Sequence, residues 1–335
     1  MRYRPAMAAA AVAMAMAVPA CADERLPGVG LHEIPVAGGV DAVAAGDDAA
    51  IVTTRSGARV AVRVEDGGTP ILSAAAAAEP QILPPDLLPH GRVVGGDNDI
   101  VAAWLALPTD RYRHGVLGDR LEAAALRVRR RDGATAELAA GADAVFEDLV
   151  PRLVDLDRDG RDEIIVVRSY LDRGAALAVA GLDPAGTLRV IAETPPIGRP
   201  SRWLNPIGAA DFDGDGTTEI AYVETPHIGG RLMIWEFRDG GLRRQAAEPG
   251  FSNHAIGSTE LGLAAIADID GDGLPDLAVP SRDRDRLRLI GLRGGVVREL
   301  ADIDLGGTVG TAIVPAGPGA LVFGLADGRL MVLVY

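Results

Sequence analysis

The sequence contains no lysine, and all 33 of its basic residues are arginine. A GC-rich genome accounts for that, and for the many alanines, better than any function does. Cysteine occurs once, at Cys21, so disulfides cannot staple the fold. Aromatic residues make up only 4% of the chain. Positive charge is short as well: the formal net charge is −14 and no basic stripe is present, which argues against a nucleic-acid partner. The G-x-S-x-G, H-E-x-x-H and G-x-x-x-x-G-K-[ST] patterns are missing, and with them the chemistries they mark. Past the leader, no apolar run is long enough to span a bilayer.

Residues 1–20 read as a signal peptide. Arg2 and Arg4 form its charged start, and residues 6–18 form an apolar run too short to remain as a spanning helix. The run ends V-P-A-C, which resembles the bacterial lipoprotein cleavage box, and Cys21 is its cysteine. The resemblance implies that Cys21 is the acylated first residue of the mature chain. Lipid would then hold the protein in the bacterial cell envelope. Ala22 follows where an aspartate would suggest inner-membrane retention, so the outer membrane is expected. Residues 21–30 read as a short tether, and residues 31–335 as one domain.

That domain is organised around one stretch that occurs three times. Asp155 opens D-L-D-R-D-G-R-D-E-I, Asp211 opens D-F-D-G-D-G-T-T-E-I, and Asp268 opens D-I-D-G-D-G-L-P-D-L. Carboxylates fall at positions 1, 3, 5 and 9, glycine at 6 and an aliphatic at 10. So many carboxylates at short range repel one another unless a cation lies among them. A hard divalent ion such as calcium takes six to eight oxygens in a flexible shell. About three calcium sites are therefore expected. Their side-chain ligands are Asp155, Asp157, Asp159 and Glu163, then Asp211, Asp213, Asp215 and Glu219, then Asp268, Asp270, Asp272 and Asp276.

An EF-hand shares the first half of this pattern but requires a bidentate glutamate at position 12. Here that position holds Val166, Tyr222 and Val279, and the following residues read as β-strand. The loop resembles instead the calcium loop of FG-GAP/VCBS repeats, the blades of integrin-α-type β-propellers. The resemblance is specific at the three loops and diffuse elsewhere. It implies an all-β fold and bound calcium.

The loops recur about every 56 residues, and each marked unit offers four short strand candidates. In the best-marked unit these cover residues 207–210, 220–223, 232–237 and 242–246. The first strand of a marked unit is rich in small residues, as at Gly208, Ala209 and Ala210, which suits a crowded innermost strand. Two earlier units, residues 40–78 and 92–139, lack the full loop, and a last unit, 310–335, has only three strands. An orphan strand at 31–37 could supply the fourth. The expected architecture is an all-β β-propeller of four-stranded blades, its ring closed by that N-terminal strand. Six blades are expected, with seven as the alternative.

In such a blade the acid loops, after strand one, share a face. The longer loops after strands two and four share the opposite face, where function tends to sit. They bring Tyr112, His114, Tyr170, Arg173, Arg202, Trp203, Asn205, His227, Asn253 and His254 into play as a possible ligand face. The expected role is a non-enzymatic module that binds a protein or carbohydrate partner. The alternative is a polysaccharide-active enzyme, lyase or hydrolase, on the same scaffold. A quinone-cofactor propeller would need a tryptophan-bearing repeat, which is missing. Trp203 could equally plug the gap between two blades.

Overall fold

Short apolar runs broken by Gly, Asp and Pro make strands and tight turns, and the computed structural model consists of little else. It describes residue 26 and residues 28–65, 68–77 and 82–335; Cys21 and the leader lie outside the described residues. Among the described residues no helix is long and apolar enough to cross a membrane.

Gly30–Ile34 (β1) comes first. Blade 1 follows with Val40–Ala45 (β2), Ala50–Thr54 (β3), Arg59–Val64 (β4) and Pro70–Ala74 (β5). Blade 2 is Val94–Gly95 (β6), Ile100–Thr109 (β7), Glu122–Arg130 (β8) and Thr135–Ala139 (β9). Ala144–Phe146 (β10) bridges β8 to β12. Blade 3 is Arg152–Val154 (β11), Glu163–Tyr170 (β12), Gly174–Leu182 (β13) and Leu188–Glu193 (β14). Blade 4 is Leu204–Ala210 (β15), Thr218–Glu224 (β16), Arg231–Arg238 (β17) and Gly241–Pro249 (β18). Blade 5 is Ala265–Ala267 (β19), Asp276–Pro280 (β20), Arg286–Arg293 (β21) and Val296–Asp304 (β22). Val314–Pro315 (β23), Ala320–Gly324 (β24) and Leu330–Val334 (β25) make three strands of blade 6.

The fold is an all-β β-propeller: the described residues form four four-stranded antiparallel sheets and one nine-stranded sheet, in which β10 joins the β6–β9 set to the β11–β14 set. Blade 6 takes its outermost strand from the other end of the chain: β1 pairs antiparallel with β25, from Gly30 opposite Val334 to Ile34 opposite Leu330. The orphan strand expected at 31–37 is thus placed slightly earlier, because its pairing partner stops at Leu330.

Burial follows strand position. The second and third strands of blade 3 are covered on both faces and read as near-continuous apolar runs, β12 and β13 being almost wholly buried. Outer strands such as β22 alternate half-buried and exposed residues and carry the charge. The core lies between blades. One buried cluster joins Phe146, Ile164, Trp203, Tyr222 and Met233 across blades 2, 3 and 4. Innermost strands approach so closely that a Cβ added at Gly208 would meet Ile266 Cδ1 at 2.8 Å. A cavity of about 460 Å³ is lined by innermost-strand residues 42–45, Arg152, Pro206, Ile207 and Val314, together with Arg92 and residues 259–262, which precede β6 and β19.

Candidate functional site

The turn after the first strand of blades 3, 4 and 5 is the acid loop, and one set of bonds shapes all three. In blade 4, Asp211 Oδ2 accepts the Gly216 N–H at 3.0 Å, Asp215 Oδ1 the Thr217 N–H at 2.8 Å, and Glu219 Oε2 the Phe212 N–H at 2.8 Å. In blade 3 the same bonds run from Gly160 to Asp155, Arg161 to Asp159 and Leu156 to Glu163. Blade 5 repeats them from Gly273 to Asp268, Leu274 to Asp272 and Ile269 to Asp276. The sixth-position glycines take left-handed backbone, φ 84°, 89° and 86°. So does the fourth position, which is Gly214 and Gly271 but Arg158 in blade 3, where a side chain costs about 1–2 kcal/mol.

This frame gathers carboxylates into three triads: Asp155, Asp157 and Glu163; Asp211, Asp213 and Glu219; Asp268, Asp270 and Asp276. In each triad one oxygen per residue lies within 4.8 Å of the others. Asp159, Asp215 and Asp272, expected as fourth ligands, stand outside the triads, and each accepts the N–H two residues on. Burial pushes Glu163 and Glu219 up to about 7, and Asp276 up to about 6, with the neighbouring aspartates adding to the push. An all-oxygen, multiply charged donor set suits a hard divalent cation. Glu219 fits the role closely, since its Oε1 is buried without a hydrogen-bond partner. Blade 2 differs: its Asp99 pairs with Arg161 at 3.0 Å and accepts the Asp162 N–H.

On the opposite face, loops from blades 2, 3 and 4 meet. They enclose a pocket of about 160 Å³ lined by His114, Ser201, Arg202, Trp203, Thr225, His227, Ile228 and Ile256. His114 is held by Glu147, whose Oε1 lies 2.6 Å from Nδ1 and whose other oxygen accepts the Ser169 hydroxyl. His254 Nε2 faces the Ser258 carbonyl at 3.0 Å and so carries the hydrogen there. His254 Nδ1 then accepts from His227 Nε2 at 2.8 Å, which leaves His227 Nδ1 as a free acceptor. Both rings are neutral, as burial holds His227 down at about 4 and His254 at about 3. Ser201 and Thr225 take left-handed backbone at φ 54° and 49°, a conformation rare for a β-branched residue such as Thr225.

Other expected members of this face have structural duties. Tyr112 is buried, and its hydroxyl accepts the Ser201 N–H at 2.8 Å. The Tyr170 hydroxyl donates to Glu193 at 2.6 Å, while Arg173 lies 4.1 Å above the ring and pairs with Asp143. Asn205 and Asn253 are wholly buried and exchange side-chain to main-chain bonds at 3.0 Å, so they tie β15 to the loop after β18 rather than facing a ligand. His254 is also fully buried, behind His227. Sequence reasoning missed Glu147, whose only signal is an acid inside the apolar run A-V-F-E-D-L-V. It also missed Ile228 and Ile256, exposed at the pocket rim.

Residues 155–222 and 211–279 match the family model of the FG-GAP-like repeat. No curated protein matches the chain. Among solved structures, virginiamycin B lyase from Staphylococcus aureus is similar at 13% identity and a TM-score of 0.36, over 92% of this chain and 99% of that one. The exotype rhamnogalacturonan lyase YesX is similar at 14% identity and a TM-score of 0.39, over 84% of this chain and 54% of that one.

Proposed function

We propose, from the FG-GAP-like repeats and the triads they contain, that this chain is a lipid-anchored cell-envelope β-propeller. Its acid loops take calcium, and its opposite face binds a protein or glycan partner. The observation that carries the reading is Glu219 Oε1, buried and unpartnered beside Asp211 and Asp213. A cation at such a triad removes carboxylate repulsion from the folded state and rigidifies the turn between two strands. The binding role rests on the pocket over Trp203, where strained backbone, free imidazole nitrogen and exposed isoleucines converge.

Calorimetric titration of calcium into chelator-treated protein tests it. Extracellular sites have dissociation constants of about 0.1–1 mM. At a few millimolar calcium, each loaded site then adds roughly 0.5–2 kcal/mol, a rise of some degrees in Tm that chelator reverses. Asp213→Ala should remove one site's share. Absence of any calcium uptake overturns the reading. A second reading, a polysaccharide-active enzyme on the same scaffold, draws on one observation: His114 is oriented by a fully buried carboxylate, as a general base would be.

A further inference from the structure

The three acid loops repeat one sequence, so a difference among them carries information. In blade 4 the ninth-position Glu219 gives one oxygen to the loop backbone and leaves the other buried without a partner. In blade 5 the ninth position is Asp276, one methylene shorter. Its Oδ2 accepts the Ile269 N–H at 3.0 Å, as its counterpart does, but its Oδ1 accepts from Arg293 Nη2 at 3.1 Å. The same nitrogen lies 3.3 Å from Asp270 Oδ2 and 2.6 Å from Asp272 Oδ2. One guanidinium nitrogen thus serves the third, fifth and ninth positions together.

The rest of the arginine is held in place. Its Nη1 donates to the Leu292 carbonyl at 2.9 Å and to the Phe212 carbonyl of the neighbouring loop at 3.3 Å, and its side chain is only 19% exposed. Arg238, at the matching end of β17, pairs with Asp215 and Glu236 and with no member of its own triad. Arg158 reaches Asp211 at 3.3 Å, but from a side chain that is 60% exposed.

We propose that Arg293 is the resident cation of the Asp268 loop, so the three loops are not equivalent. The loops of blades 3 and 4 are calcium sites, and that of blade 5 is self-neutralised. Calcium enters it only by displacing the guanidinium from three carboxylates, which weakens binding about tenfold or more. The inference rests on the calcium reading above. It adds that blade 5 keeps its clamp on the Phe212 loop whether or not calcium is present.

The test is calcium titration of the full chain after chelation, comparing wild type, Arg293→Gln and Asp270→Asn. Wild type should take up two calcium ions tightly, Arg293→Gln should take up three, and Asp270→Asn should match wild type. Three equal sites in wild type, or a loss of one tight site in Asp270→Asn, overturns the proposal even if Arg293→Gln fails to fold. A folded Arg293→Gln protein with unchanged stoichiometry overturns it too. No uptake by any of the three removes the calcium reading and this inference together.

Discussion

The indole Nε1–H of Trp203 donates to the backbone carbonyl of Glu147 at 2.8 Å, joining the entry of β15 to the turn after β10. Trp203 is 2% exposed and packs edge-on to His254, with ring centroids 4.7 Å apart. Trp203→Ala should cost roughly 3–5 kcal/mol, read as a lower denaturation midpoint. Trp203→Phe should lose less, because it keeps most of the packing and gives up the hydrogen bond. An unmoved midpoint for the alanine variant would show that the ring is not a plug between blades.

Glu122 on β8 is buried with neither oxygen partnered, and burial, followed by the Glu147 charge, pushes it up to about 10. The folded chain keeps this proton where the unfolded chain, near 4.5, releases it. The group's contribution is therefore complete below pH 4.5 and lost as pH rises towards 10. Glu122→Gln, which cannot ionise, should match wild type at about pH 4 and gain on it steadily up to about pH 9. Urea midpoints at several pH values check this, and parallel curves would reject it.

Asp99 in blade 2 accepts both from Arg161 Nε and from the Asp162 N–H at 3.0 Å. Asp99→Ala should cost about 1–2 kcal/mol in stability. Asp97 is used through its main-chain carbonyl, which Arg131 reaches, so Asp97→Ala should be neutral. Neither change should alter calcium uptake, because neither residue belongs to a carboxylate triad. Any change in stoichiometry would count blade 2 among the metal sites.

Cys21→Ser should release the protein from membranes and end lipid labelling. Fractionation of washed envelopes measures this, and unchanged association would mean that something other than acyl chains holds the protein.

The loops were legible in the sequence because their ligands are local: Asp211, Asp213 and Glu219 are spaced by the turn itself. The blades followed from the period, and the completion of blade 6 from a strand missing at one end and spare at the other. What stayed hidden depends on contacts between distant segments. Spacing alone put Asp215 and its counterparts among the ligands, since sequence cannot show which carboxylates bring their oxygens close together; these three stand outside the triads. Asn205 and Asn253 looked like surface groups because loop membership says nothing of depth. Arg293 lies at the far end of β21, where nothing in the chain announces that it folds back onto Asp276.

The pairing of β1 with β25 also sets a schedule. During synthesis β1 is the first described strand to leave the ribosome, and its partner, Leu330–Val334, is the last. Holding the two ends together costs little extra for so long a loop, since the entropic term grows only logarithmically. The delay is the larger matter. Throughout translation an open strand edge must avoid pairing elsewhere, and a ribosome stalled within blade 6 would leave it with no partner at all.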